Sequence, residues 1–157
     1  MAEGTDMIVG LYNLPEAPAP AGVSLKRAFP GDKRAILDFI EKNFNPGWVG
    51  EAEHALGQPT PKCFIATEGG RVLGFACFDA SALGFFGPIG VREECRGRGV
   101  GQALLLKTLN AMREYGYAYA VIGWVGNAQP FYRKTVGAVP IPGGEPQNSV
   151  YRNMINM

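Results

Sequence analysis

A chain of 157 residues, 46% hydrophobic and 18% charged, has the composition of a globular domain, and one domain of this size buries roughly 68–70% of the surface its unfolded chain exposes. Fifteen basic against fourteen acidic residues leave a net charge of +1, so no broad basic face for binding nucleic acid is expected. Cys63, Cys77 and Cys95 form no CxxC pair and are too few for a disulfide framework, which points to reduced thiols, a cytoplasmic setting and no metal site.

The chain starts with Glu3 and Asp6 ahead of a short apolar run, unlike the cationic start of a secretory signal. No apolar stretch approaches the ~20 residues of a membrane span, so no membrane partner is expected. Residues 1–22 join an apolar run at 7–12 to the proline-rich LPEAPAPAG, a pattern that reads as an extended N-terminal arm. A single domain then covers residues 23–157.

Within that domain, VSLKRAF reads as a strand, and Ile36, Phe39, Ile40 and Phe44 recur at helical spacing. Asn45-Pro46-Gly47 breaks that helix, and a second short one is expected over residues 49–56. CFIAT and RVLGFACF flank Glu68-Gly69-Gly70, the pattern of an antiparallel hairpin. Residues 83–91 are strand-like but carry Gly84, Gly87, Pro88 and Gly90. A proline there implies an edge or a bulge, since it has no N–H for the ladder.

Beyond the next loop, Leu104, Leu105, Thr108, Leu109 and Met112 mark one helical face that ends at Gly116. Residues 117–124 read as a buried strand, and 127–136 as a brief helix with Pro130 in its first turn and Gly137 past its end. Two short strands are expected at 139–141 and 150–154, on either side of PGGEPQNS.

The loop Arg96-Gly97-Arg98-Gly99-Val100-Gly101 lies between a strand and a long amphipathic helix. Free backbone N–H groups and the helix dipole there suit an anion. The glycines let the backbone approach a phosphate, and Arg96 and Arg98 can add charge-assisted hydrogen bonds. A Walker loop would end in Gly-Lys-Ser/Thr, but Gln102-Ala103 follow the last glycine. A Rossmann turn would read GxGxxG early in a parallel sheet, whereas this loop reads GxGxG after a hairpin.

The chain resembles the GNAT superfamily of N-acetyltransferases. Arg96, Gly99 and Gly101 match its pyrophosphate motif Q/R-x-x-G-x-G/A, FFGPIGV matches the strand before it, and Asn127, Phe131, Tyr132 and Gly137-Ala138 match a later segment. The resemblance implies an α/β fold with a mixed, mostly antiparallel sheet, whose two central parallel strands, 83–91 and 117–124, splay apart and are flanked by helices. Acetyl-CoA would sit in that opening as co-substrate. Its pyrophosphate would rest on residues 96–101, its pantetheine would pair with main-chain groups of Ile89 and Val91, and Asn127 would touch it. Tyr132 would face the thioester sulfur. The implied function is transfer of an acetyl group to a primary amine of a small molecule or peptide by direct attack in a ternary complex. The alternative is a non-catalytic acyl-CoA-binding module. Homodimers are common among such proteins.

A general base would help, because an alkylamine with a pKa of about 10.4 is almost wholly protonated at pH 7. Many relatives place a carboxylate on the splayed strand, but LGFFGPIGV has none. Asp79, Glu93 and Glu94 are the nearest in sequence, with Glu51 and Glu53 on the second helix. Asp79 is the candidate, beside a water relay. His54 reads as a surface or helix-packing residue. Trp48, Phe85, Phe86 and Trp124 read as walls of an acceptor pocket or as core.

Overall fold

The computed structural model describes residues 3–155. Its strands are β1 (Thr5–Gly10), β2 (Ser24–Arg27), β3 (Cys63–Glu68), β4 (Arg71–Phe78), β5 (Phe85–Val91), β6 (Tyr119–Val125) and β7 (Val139–Pro140). They form one sheet in the order β2-β3-β4-β5-β6-β1-β7. The recorded pairs are antiparallel except β5 with β6. The helices are α1 (Lys33–Asn43), α2 (Pro46–Leu56), α3 (Val100–Tyr115) and α4 (Gln129–Val136). This is the mixed, mostly antiparallel α/β sheet expected. No helix among the described residues is long and apolar enough to cross a membrane.

Strand alternation separates two cores. Cys63, Ile65, Phe75 and Cys77 pack with Ile36, Phe39, Ile40 and Ala52 of α1 and α2. Phe64, Ala66, Leu73 and Phe78 pack with Leu104, Leu105, Leu109 and Met112 of α3. These four α3 side chains are fully buried, and burying a leucine contributes about 1.5–3 kcal/mol. The Asn45-Pro46 break is also the start of α2: the Asn45 side chain accepts the Trp48 N–H at 3.0 Å, with Pro46 in the first turn.

Two expectations are corrected. Residues 1–22 are not simply an arm, because Thr5–Gly10 is an inner strand between β6 and β7. The alternation of Met7 and Val9, both buried with Leu11, is the signature of a strand with a covered face. Residues 1 and 2 of that arm lie outside the described residues. The expected strand at 150–154 is instead a 3₁₀ turn over Val150–Asn153. The 139–141 strand is present as β7, where Pro140 suits its position at the sheet's end.

Candidate functional site

The site begins where β5 and β6 part. They pair at Phe85↔Val121 and Phe86↔Ile122, with no pairing recorded beyond Phe86. On its other side β5 stays paired with β4 through Val91, after a register shift between Ala76 and Phe78. Pro88 is therefore in an inner strand, yet at an irregularity where its missing N–H breaks no ladder. Gly90 is required for a different reason: a Cβ there would lie 2.5 Å from the Phe44 ring. The β5 edge facing β6, from Gly87 to Val91, has no strand pairing recorded on that side.

The glycine loop follows. Gly97 and Gly99 have φ of +81° and +86°, backbone that L side chains rarely adopt. A Cβ at Gly97 would meet nothing within 4 Å, and one at Gly99 only Pro20 Cγ at 3.7 Å. This open, positively curved backbone leads directly into the first turn of α3, whose N–H groups have no acceptor further back in the helix. The residues present therefore fit a diphosphate. The two arginines are differently disposed. Arg96 Nε donates to the Val91 carbonyl at 3.1 Å, while Arg98 donates to both Glu68 oxygens at 3.3 and 2.7 Å.

Between the splayed strands lies a cavity of about 540 Å³. Ile89, Asn127 and Tyr132 line it, as do Trp48, Phe86 and Trp124; Val91 does not. Phe85 is not among the lining residues, and its ring centroid is 6.3 Å from that of Tyr151. Tyr132 is brought inward by α4, which begins at Gln129 with Pro130 in its first turn and stops at Gly137, φ +70°. Burial pushes the Tyr132 phenol above its ordinary pKa.

Among the described residues, Glu51 is the cavity's only charged side chain. The Ser81 hydroxyl donates to it. Burial raises the Glu51 carboxyl above its ordinary pKa, against the opposing effect of that hydrogen bond. Two further lining residues, Tyr151 and Met154, come from the end of the chain. Tyr151 packs on Trp124, with ring centroids 5.2 Å apart. Its hydroxyl lies against Gly123, where any Cβ would collide with it.

Asp79 is not among these lining residues. It is 3% exposed, with φ +55°, and every contact satisfies its charge. Lys62 Nζ donates to it at 2.8 Å, the Gly84 N–H at 2.8 Å, and the Tyr117 hydroxyl at 2.9 and 3.0 Å. Its place before β5 in sequence is not a place among the residues lining the cavity. His54 is exposed beside Gln58, as a surface residue would be. Glu51 had no distinguishing mark beside Glu53 in the sequence. Tyr151 was masked by the expectation of a strand. Among the described residues no group of three or more His, Cys, Asp or Glu could hold a metal ion.

A family model described as "Acetyltransferase (GNAT) family" matches residues 26–138. Similar solved structures include a GCN5-related glucosamine N-acetyltransferase region of a fungal multi-domain GH3 beta-N-acetylglucosaminidase, at 18% identity and TM-score 0.68, covering 88% of this chain and 20% of that one. A GCN5-related N-acetyltransferase from Sphaerobacter thermophilus matches at 24% identity and TM-score 0.66, over 87% of this chain and 48% of its own. One from Kribbella flavida matches at 19% and 0.66, over 87% and 54%. This chain thus spans from a fifth to about half of those chains, and the likeness is one of fold. No curated protein matches.

Proposed function

The chain belongs to the GNAT acetyltransferase family, and from that premise we propose that it moves an acetyl group from acetyl-CoA to a primary amine by direct attack in a ternary complex. One observation carries this reading: Glu51 and Tyr132 line the same cavity at the parting of β5 and β6. A proton acceptor and a hydroxyl donor thus share one space. Acetyl-CoA supplies the activated thioester. The backbone of residues 96–101 and the first turn of α3 hold the pyrophosphate, Ile89 and Val91 offer main-chain groups to the pantetheine, and Asn127 helps fix its end. Arg96 and Arg98 add charge, Arg98 by exchanging Glu68 for phosphate.

Glu51 takes the base role that the sequence assigned to Asp79. An alkylamine at pH 7 is neutral in roughly one molecule per few thousand, a deficit of about 4–5 kcal/mol. As the N–C bond forms, the nitrogen's proton becomes acidic and Glu51 receives it, directly or through water. The C–S bond then breaks, and Tyr132 donates a hydrogen bond to the departing sulfur. Full proton transfer from an ordinary phenol to a thiolate is uphill by roughly 2 kcal/mol. Burial of Tyr132 adds to that, so the thiolate takes its proton from water, or from the Glu51 carboxyl that has received the amine's proton.

A thiol-release assay with acetyl-CoA across an amine panel tests this. Tyr132→Phe should lower kcat by about 10²–10⁴-fold and leave CoA affinity nearly unchanged, because the hydrogen bond grows with the charge on sulfur. Saturable CoA binding with no thiol release for any amine would make the chain an acyl-CoA-binding module. Near-wild-type turnover of the mutant, where chemistry limits the rate, would return Tyr132 to packing.

A further inference from the structure

Resting on that reading, we propose that the acceptor is a primary monoamine carried on an uncharged, apolar or aromatic body. The argument is a charge inventory of the acceptor side. A second cavity adjoins the first and shares Glu51, Ser81, Tyr151 and Met154 with it. Among the described residues lining either one, Glu51 is the only charged side chain, and no Lys or Arg appears.

One half-buried carboxylate matches one ammonium group. An amino acid or an acidic peptide would bring a carboxylate that finds no cation there and is repelled by Glu51. A diamine or an aminoglycoside would bring further ammonium groups without a partner. The walls agree with the charges. Trp48, Trp124 and Tyr151 surround the space beside Glu51, and indole and phenol faces favour both an apolar body and the ammonium that enters with it. Gly123 leaves room for the hydroxyl end of Tyr151 against β6.

The test compares kcat/KM, at saturating acetyl-CoA, for 2-phenylethylamine and n-hexylamine against phenylalanine, putrescine and an aminoglycoside. At least one monoamine should exceed each of the other three by tenfold or more. Equal or better turnover of any of those three overturns the inference. Acetyl-CoA binding without turnover of either monoamine also overturns it, while leaving the cofactor reading intact. Failure of acetyl-CoA to bind overturns both, which separates the two failures. Met154→Arg adds a cation to the rim, and the preference for 2-phenylethylamine over phenylalanine should narrow about tenfold. An unchanged ratio in a variant that folds as the wild type does would remove charge as the source of selectivity.

Discussion

The Asp6 carboxylate accepts the backbone N–H of Trp124 at 2.8 Å, which ties the first strand to the residue where β6 turns through a φ of +48°. The other Asp6 oxygen accepts the Ser149 hydroxyl. One buried side chain thus holds β1, a wall of the cavity and the segment that delivers Tyr151. Asp6→Ala should cost about 1.5–3 kcal/mol in urea unfolding, the range for a hydrogen bond to a charged group. It should also raise KM for the acceptor, since Trp124 loses its anchor. Asp6→Asn, which keeps an acceptor, should recover part of both. An unchanged unfolding midpoint in Asp6→Ala would show that the bond contributes nothing.

Glu51→Gln should lower kcat/KM by about 10²–10⁴-fold and abolish the acidic limb of the pH profile. In the wild type that limb should lie above the ordinary carboxylate value of ~4.3, because burial raises the Glu51 pKa. The same shift sets the sign for stability. A carboxyl whose pKa is raised on folding contributes stability that is fully present below its unfolded pKa and lost as pH rises through the folded one. At pH 7 the half-buried carboxylate is therefore a cost, and Glu51→Gln should melt higher than the wild type, the gap closing below about pH 4. A variant less stable at pH 7 than at pH 4, relative to wild type, would contradict this.

In the glycine loop, acetyl-CoA at a hundredfold excess over its Kd should stabilise the wild type by about 2.7 kcal/mol. Gly99→Val should lose most of that shift, because a β-branched residue is strained at φ +86°. Glu68→Gln should tighten CoA binding by freeing Arg98, whose guanidinium the carboxylate now occupies. Wild-type affinity in a folded Gly99→Val would take the loop out of the mechanism.

Asp79 is the contrasting carboxylate. Burial is the largest influence on the Lys62 amine and would depress it, yet Asp79 and Tyr115 together more than offset this and hold it above its ordinary value. Removing one partner of such a buried pair costs about 3–5 kcal/mol. Asp79→Ala should show that loss by denaturant titration while turnover, per folded molecule, changes little. A stable Asp79→Asn with abolished turnover would restore Asp79 as a base.

What the sequence revealed was local. The glycine loop, the α3 stripe and the Asn127 to Ala138 segment are each readable within one element, and each was found. What it hid depends on distant partners. Thr5 pairs with Val125, and Tyr151 lies against Gly123, relationships that no window of ten residues contains. Glu51 and Glu53 looked alike because periodicity does not say which helical face meets a cavity. Two residues on, the side chain has turned about 200°, and Glu53 faces Lys33 at 3.9 Å instead. Asp79 does lie beside the start of β5, its N–H donating to the Phe85 carbonyl at 2.9 Å, but sequence does not say that its carboxylate turns to Lys62 and Tyr117 and away from the cavity.

The place of β1 in the sheet has a consequence during synthesis. Gly10 pairs with Tyr119, so the ribosome must add more than a hundred residues before the first strand meets its inner neighbour. At roughly 5–20 residues per second that interval is about 5–20 s. For that time Met7 and Val9 have no strand to cover them, and a strand with open edges can pair with another nascent chain. The proline-rich stretch after β1 discourages that pairing from spreading beyond Leu11, since proline offers no N–H to an incoming strand. The cavity, which needs both β6 and the Tyr151 segment, is not complete until Tyr151 has been made.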